Sequence, residues 1–93
     1  MQFLVIEHFK DGDARPAYRR FNEQGRLCPE GLNILNSWVD AGFGRCFLLM
    51  ECDDAALLQK WSAGWSDLVD IEIIPVVTTK DAAEAVAPYL DNA

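Results

Sequence analysis

Basic residues, cysteine and histidine are all in short supply in this 93-residue chain, and each shortage removes a class of function. Eight lysines and arginines against fifteen aspartates and glutamates give a net charge of -7, which repels phosphate backbones and anionic lipid surfaces alike. No nucleic-acid or membrane partner is expected. The three cysteines are odd in number and show no C-x-x-C spacing, a usage that fits a reducing compartment, by default the cytoplasm, better than a disulfide scaffold. A single histidine and scattered cysteines also lack the ligand spacing of a zinc site, and no motif calls for a cofactor. The N-terminal run from Met1 to Ile6 has no basic segment ahead of it and no small-residue cleavage site, and it is too short to span a bilayer. It reads as a buried strand. Linkers, low-complexity segments and short-period repeats are absent too, so residues 1–93 are expected to form a single domain.

Apolar residues, in contrast, are plentiful: residues 2–9 and 45–52 are apolar at nearly every position. Successive side chains on a strand point to opposite faces, so both faces of a sheet built on these two strands are oily. One layer of helices covers only one of them. The other face is then expected to meet a second copy of the chain, giving a homodimer through the sheet face. Size points the same way, because a monomer this short keeps roughly 35 to 40% of its unfolded-chain surface exposed.

Turn and cap signals divide the rest. Asp11-Gly12-Asp13 ends the first strand and offers Asp13 as a helix N-cap, with Pro16 in the first turn where a missing N–H does no harm. Tyr18, Phe21, Gly25 and Cys28 recur at helical intervals, which predicts a helix running up to the break at Pro29-Glu30-Gly31. Residues 32–39 mix apolar and polar positions, as expected of a strand near a sheet edge, and Asp40-Ala41-Gly42 turns the chain into the strand at 43–52. Asp53 or Asp54 then caps a helix whose Leu57, Leu58, Trp61, Trp65 and Leu68 share a face. Pro75 assigns the last strand, about residues 69–77, to an edge or a bulge. Thr78 with Asp81 resembles a capping box ahead of an alanine-rich C-terminal helix that reaches about Leu90, with Pro88 bending or fraying its end.

The order β-α-β-β-α-β-α predicts an α+β protein of ferredoxin-like type with a C-terminal helix. Right-handed crossovers give its four-stranded antiparallel sheet the strand order 4-1-3-2. The run Val5-Ile6-Glu7-His8-Phe9-Lys10-Asp11-Gly12-Asp13 is followed by Tyr18-Arg19-Arg20-Phe21, Pro29-Glu30-Gly31-Leu32, Ser37-Trp38-Val39, Cys46-Phe47 and Met50-Glu51-Cys52-Asp53. Together these segments resemble a bacterial family of short proteins known only as a domain of unknown function. The element order with a two-sided apolar sheet also resembles the dimeric α/β-barrel superfamily, which includes cofactor-free monooxygenases, muconolactone isomerases, haem-dependent chlorite-degrading enzymes and stress-response proteins. Fold alone does not fix function, and the close family implies no catalytic residue.

His8, the lone histidine near the end of a central strand, is a candidate general base or ligand contact; the competing reading has its ring nitrogens satisfied by backbone or a carboxylate. Glu7 lies next to it but on the opposite strand face, so the two cannot share one ligand within a subunit. A charge at Glu7 or Glu51 on an apolar strand needs an arginine or a place at a cavity mouth. Antiparallel pairing brings His8 near Cys46 and Glu7 near Arg45, to within a residue or two. A Cys-His nucleophile would lack an orienting third group, and Cys46 in an apolar run reads as an inert small hydrophobe. Trp61 and Trp65 read as core, each in need of an N–H partner, whereas Trp38 is a candidate wall of a pocket or a subunit interface. Tyr18 and Phe21 are placed to enclose a flat apolar ligand against the sheet. The cluster Arg15, Arg19, Arg20 and Arg26 reads as a solvated helix face or as a weak anion-binding patch.

Two functional readings follow. One is a cytoplasmic homodimer acting as a small-molecule-binding or regulatory module. The other is a cofactor-independent enzyme, monooxygenase- or isomerase-like, acting on a small apolar or aromatic substrate in the helix-to-sheet cavity. The ligand-binding residues expected in either case are His8, Trp38, Tyr18, Glu7 and Cys46, and no catalytic residue is assigned.

Overall fold

The computed structural model describes residues 1–92, and alternation along its first strand shows at once which sheet face is sealed. In β1 (Gln2–Phe9), Phe3, Val5, Glu7 and Phe9 are buried, while Gln2, Leu4 and Ile6 are half-buried and His8 is exposed. β2 (Asn33–Val39), β3 (Arg45–Glu51) and β4 (Val69–Val76) complete an antiparallel sheet in the order β2-β3-β1-β4, which is the expected order read from the other edge. The two most apolar strands are therefore central, and Pro75 lies on edge strand β4, where a missing ladder donor is tolerated. This α+β arrangement is compatible with a ferredoxin-like fold.

Helices α1 (Arg15–Gln24) and α2 (Ala55–Trp65) lie over the face that carries Val5, Leu48 and Met50. Asp54 caps α2 by accepting the Ala56 N–H at 2.9 Å. Asp13 receives the Arg15 N–H at 3.0 Å just ahead of α1, although the residue at the cap position itself is Ala14. The first helix is shorter than its apolar spacing predicts. Gly25 takes up φ +72° and closes α1 at Gln24, its N–H donating to the Phe21 carbonyl at 2.8 Å. With ψ at -157° this is a positive-φ, extended conformation open essentially to glycine alone, and it takes the chain out of the helix. Cys28 thus lies in a loop. Leu32 brings that loop back into the core.

One extra residue in β2 decides what its side chains face. Ile34 pairs with Met50 and Asn36 with Leu49, so Leu35 is a β-bulge. Beyond it, Ser37 and Val39 pair with Leu48 and Cys46 on the helix side, and Trp38 pairs with Phe47 on the open side. Without the bulge, every side chain after Ile34 would point the other way.

The C-terminal region stands apart from this body. Thr78 Oγ1 accepts the Asp81 N–H at 3.1 Å, as the capping signal predicts, and starts α3 (Thr79–Val86). A 3₁₀ segment, Ala87–Asn92, follows, so the α-helix changes character just before Pro88. No residue of α3 is buried. The Cα radius of gyration is 16.1 Å, against about 12 Å for a compact chain of this length, because the arm projects outward.

Candidate functional site

Between α1, the loop after it, α2 and the sheet lies a cleft of about 120 Å³. Its position follows from local sequence. Gly25 ends α1 early, which lets the next residues turn back over the sheet and set Arg26 at the cleft's edge. The Arg26 carbonyl then accepts both indole N–H groups of α2, from Trp61 at 3.1 Å and from Trp65 at 3.0 Å. These contacts supply the partners that two buried tryptophans require, and they tie the loop to α2. On the other side Tyr18 leans over Phe9, the ring centroids 6.3 Å apart.

The floor of this apolar cleft carries a carboxyl group. Glu7 is only 8% exposed and is the buried charged residue of the described chain. It sits opposite Cys46 across the β1–β3 ladder. Burial raises the Glu7 pKa above its ordinary value; a hydrogen bond from the Cys46 thiol and the nearby Arg26 charge pull it partly back. The same environment pushes the Cys46 thiol up to about 12, through burial first, then the charge of Glu7 and the hydrogen bond to it, against the pull of Arg26. Cys46 is thus a protonated donor near neutral pH and a poor nucleophile. Burial also raises the thiol of Cys28, against the pull of Arg26.

The structure brings together three of the five expected ligand-binding residues. Glu7, Tyr18 and Cys46 line the cleft. His8 and Trp38 do not, because both project from the opposite face of the sheet, where His8 pairs with Arg45 and Asp70 and Trp38 is 51% exposed. The register differs by one residue from the expected neighbours: Glu7, rather than His8, meets Cys46. Glu51 also faces the open side, beside Gln2 and Asn33. Among the residues not singled out for the site, Arg26 and Ser37 supply its remaining polar groups. The helix-breaking Gly25 was the signal available for the first; the bulge at Leu35 leaves none for the second.

A wider depression of about 290 Å³ between α2 and β4, lined by Phe3, Ala55, Ala56, Leu58, Gln59 and Ile73, has no ionisable side chain. Chemistry therefore singles out the smaller cleft. Among the described residues, no group of three or more His, Cys, Asp or Glu side chains is placed to hold a metal ion, and no helix is long and apolar enough to cross a membrane.

Residues 1–90 match DUF3303, a domain of unknown function. The chain belongs to that family. The match takes in the sheet, both covering helices and nearly all of the projecting arm, so the DUF3303 unit contains the complete cleft. No curated protein and no solved structure matches the chain.

Proposed function

We propose that this DUF3303 protein is a cytoplasmic homodimer that binds a small apolar or aromatic molecule in the cleft between α1 and the sheet. The observation that carries the reading is Glu7, a carboxyl group held on the floor of a mainly apolar pocket. A buried ionisable group is costly to keep, and a few convergent polar groups inside an apolar wall are the usual make-up of a small-molecule site. Cleft size limits the guest. An apolar cavity of about 150 Å³ takes up benzene, so about 120 Å³ suits a single ring better than a flavin or a haem.

The dimer reading rests on the open sheet face. Leu4, Ile6, Phe47 and Leu49 are only half-buried there, with no helix over them, and Trp38 extends the patch. Charges at one end of that face are self-complementary. Arg45 on β3 and Asp70 on β4 flank His8 from opposite sides. A two-fold axis parallel to β1, between two stacked sheets, would set each Arg45 over the Asp70 of the other copy.

A second reading, proton-transfer catalysis in the cleft, is favoured by the raised pKa of Glu7, since carboxyl groups with such a shift in an apolar pocket are suited to general acid–base work. Thermal shift against a panel of single-ring aromatic compounds tests binding. Saturable stabilisation that is lost in Tyr18→Ala supports the cleft, and a flat response across the panel overturns it. Sedimentation at micromolar concentration tests the dimer: twice the 10.4 kDa chain mass is expected.

A further inference from the structure

The four ion pairs of the described chain are Lys10–Asp70, Arg15–Asp13, Arg20–Asp67 and Arg45–Asp40, and Arg26 takes part in none of them. Yet Arg26 is not free to wander. Its guanidinium lies 5.3 Å from the centre of the Phe21 ring, its Nη2 donates to Ser37 Oγ at 3.2 Å, and its backbone carbonyl is fixed by the two indoles. A guanidinium has five N–H donors in a planar fork, and the single side-chain hydrogen bond leaves most of that fork unused. In a protein of net charge -7, a cation at an aromatic-walled cleft with Glu7 nearby but no carboxylate at ion-pair distance is placed to receive an anionic group.

Resting on the reading that the cleft binds a ring-sized molecule, we infer that its ligand is a small aromatic or apolar carboxylate, with the carboxylate on the Arg26 fork and the apolar body between Tyr18 and the sheet. The geometry supplies both halves of that recognition. Tyr18, Phe9, Leu48 and Val39 give apolar walls, and Arg26 with Ser37 gives a charged and a neutral polar group at the same edge. Glu7, the other charged group of the cleft, does not form an ion pair with Arg26 and so leaves the fork open. Burial raises its pKa above the ordinary carboxyl value, against the pull of Arg26, so its repulsion of a bound anion weakens as pH falls. The excess negative charge elsewhere acts over longer distances through screening salt, whereas a bidentate contact acts at hydrogen-bond range.

Benzoate, benzamide and benzylamine share one ring and differ in charge, and titrating each into the 93-residue chain separates the possibilities. Benzoate is expected to bind most tightly, and Arg26→Gln to weaken it roughly ten- to a hundredfold, the range for losing hydrogen bonds to a charged group. Arg26→Lys keeps the charge but loses the fork, and an intermediate affinity is expected. The side-chain change leaves the Arg26 carbonyl in place for Trp61 and Trp65, so an unchanged near-ultraviolet tryptophan spectrum certifies that the loop is intact. Should that spectrum change in Arg26→Gln, Ser37→Ala takes its place, with weaker benzoate binding expected. If benzamide or benzylamine binds as tightly as benzoate, or Arg26→Gln with an intact spectrum binds benzoate as the parent does, the anion assignment is wrong and the cleft reading survives. If none of the three binds, both fall.

Discussion

The two faces of the sheet are built from the same strands and meet different fates. On the helix face, Val5 and Met50 are completely buried and Leu48 nearly so. On the open face their sequence neighbours Leu4, Ile6, Phe47 and Leu49 remain half-buried, though they are no less apolar. Strand composition therefore does not distinguish a core surface from an uncovered one; what lies above it does. The helix face has α1 and α2, anchored by the Asp54 cap and by the Arg20–Asp67 contact at 2.6 Å. The helix face is also the one that holds a polar site, because Glu7 lies on it and the shortened α1 leaves room above.

The largest test of this contrast is Met50→Ala. Removing a fully buried side chain from the helix face should cost about 3 kcal/mol in denaturant unfolding, independently of protein concentration. On the open face, Phe47→Glu should leave a folded chain but halve the sedimenting mass, since a charge in an apolar interface is left unpaired. Leu49→Ala should give a milder result of the same kind. Its cost should be near 1 kcal/mol at low concentration and grow as concentration rises, because only then is the lost contact made with a second copy.

The smallest effect is electrostatic and belongs to the sealed face. Burial raises the Glu7 pKa in the folded protein, so its contribution to stability is fully present below the ordinary carboxyl pKa of 4.5 and is lost as pH rises through the raised value. Glu7→Gln should abolish that loss, and the variant should gain on the parent between acid and neutral pH in unfolding titrations. Asp13, Asp40 and Asp67 have the opposite sign. Hydrogen bonds, with Arg15, Gly44 and Arg20 respectively as the main donors, hold their carboxyl pKa values below 3.8, so their stabilisation is present above that value and fades as pH falls through the lowered ones.

Much of this contrast was legible in the sequence. The doubly apolar runs placed β1 and β3 at the sheet centre, Pro75 placed β4 at an edge, and Thr78 marked the start of α3. What could not be read depends on single-residue backbone events. Gly25 at φ +72° stops α1 although the spacing of Phe21, Gly25 and Cys28 continues a helical pattern, and that stop is what brings Arg26 to the cleft. The bulge at Leu35 reverses the side chains that follow, sending Trp38 to the open face and Ser37 to the cleft. A one-residue difference in the β1–β3 register gives Glu7, and not His8, the Cys46 neighbour. Periodicity constrains which residues share a face; it does not count the residues in a bulge or fix the sign of φ at a glycine.

The twin hydrogen bonds from Trp61 and Trp65 to the Arg26 carbonyl have an optical corollary. Two of the chain's three indoles are wired to the backbone of the residue whose side chain borders the cleft, and the third, Trp38, stands on the far side of the sheet. With Trp38→Phe as the background, intrinsic emission becomes a label-free gauge of that loop alone, and shifts in its wavelength track any event that lengthens either bond.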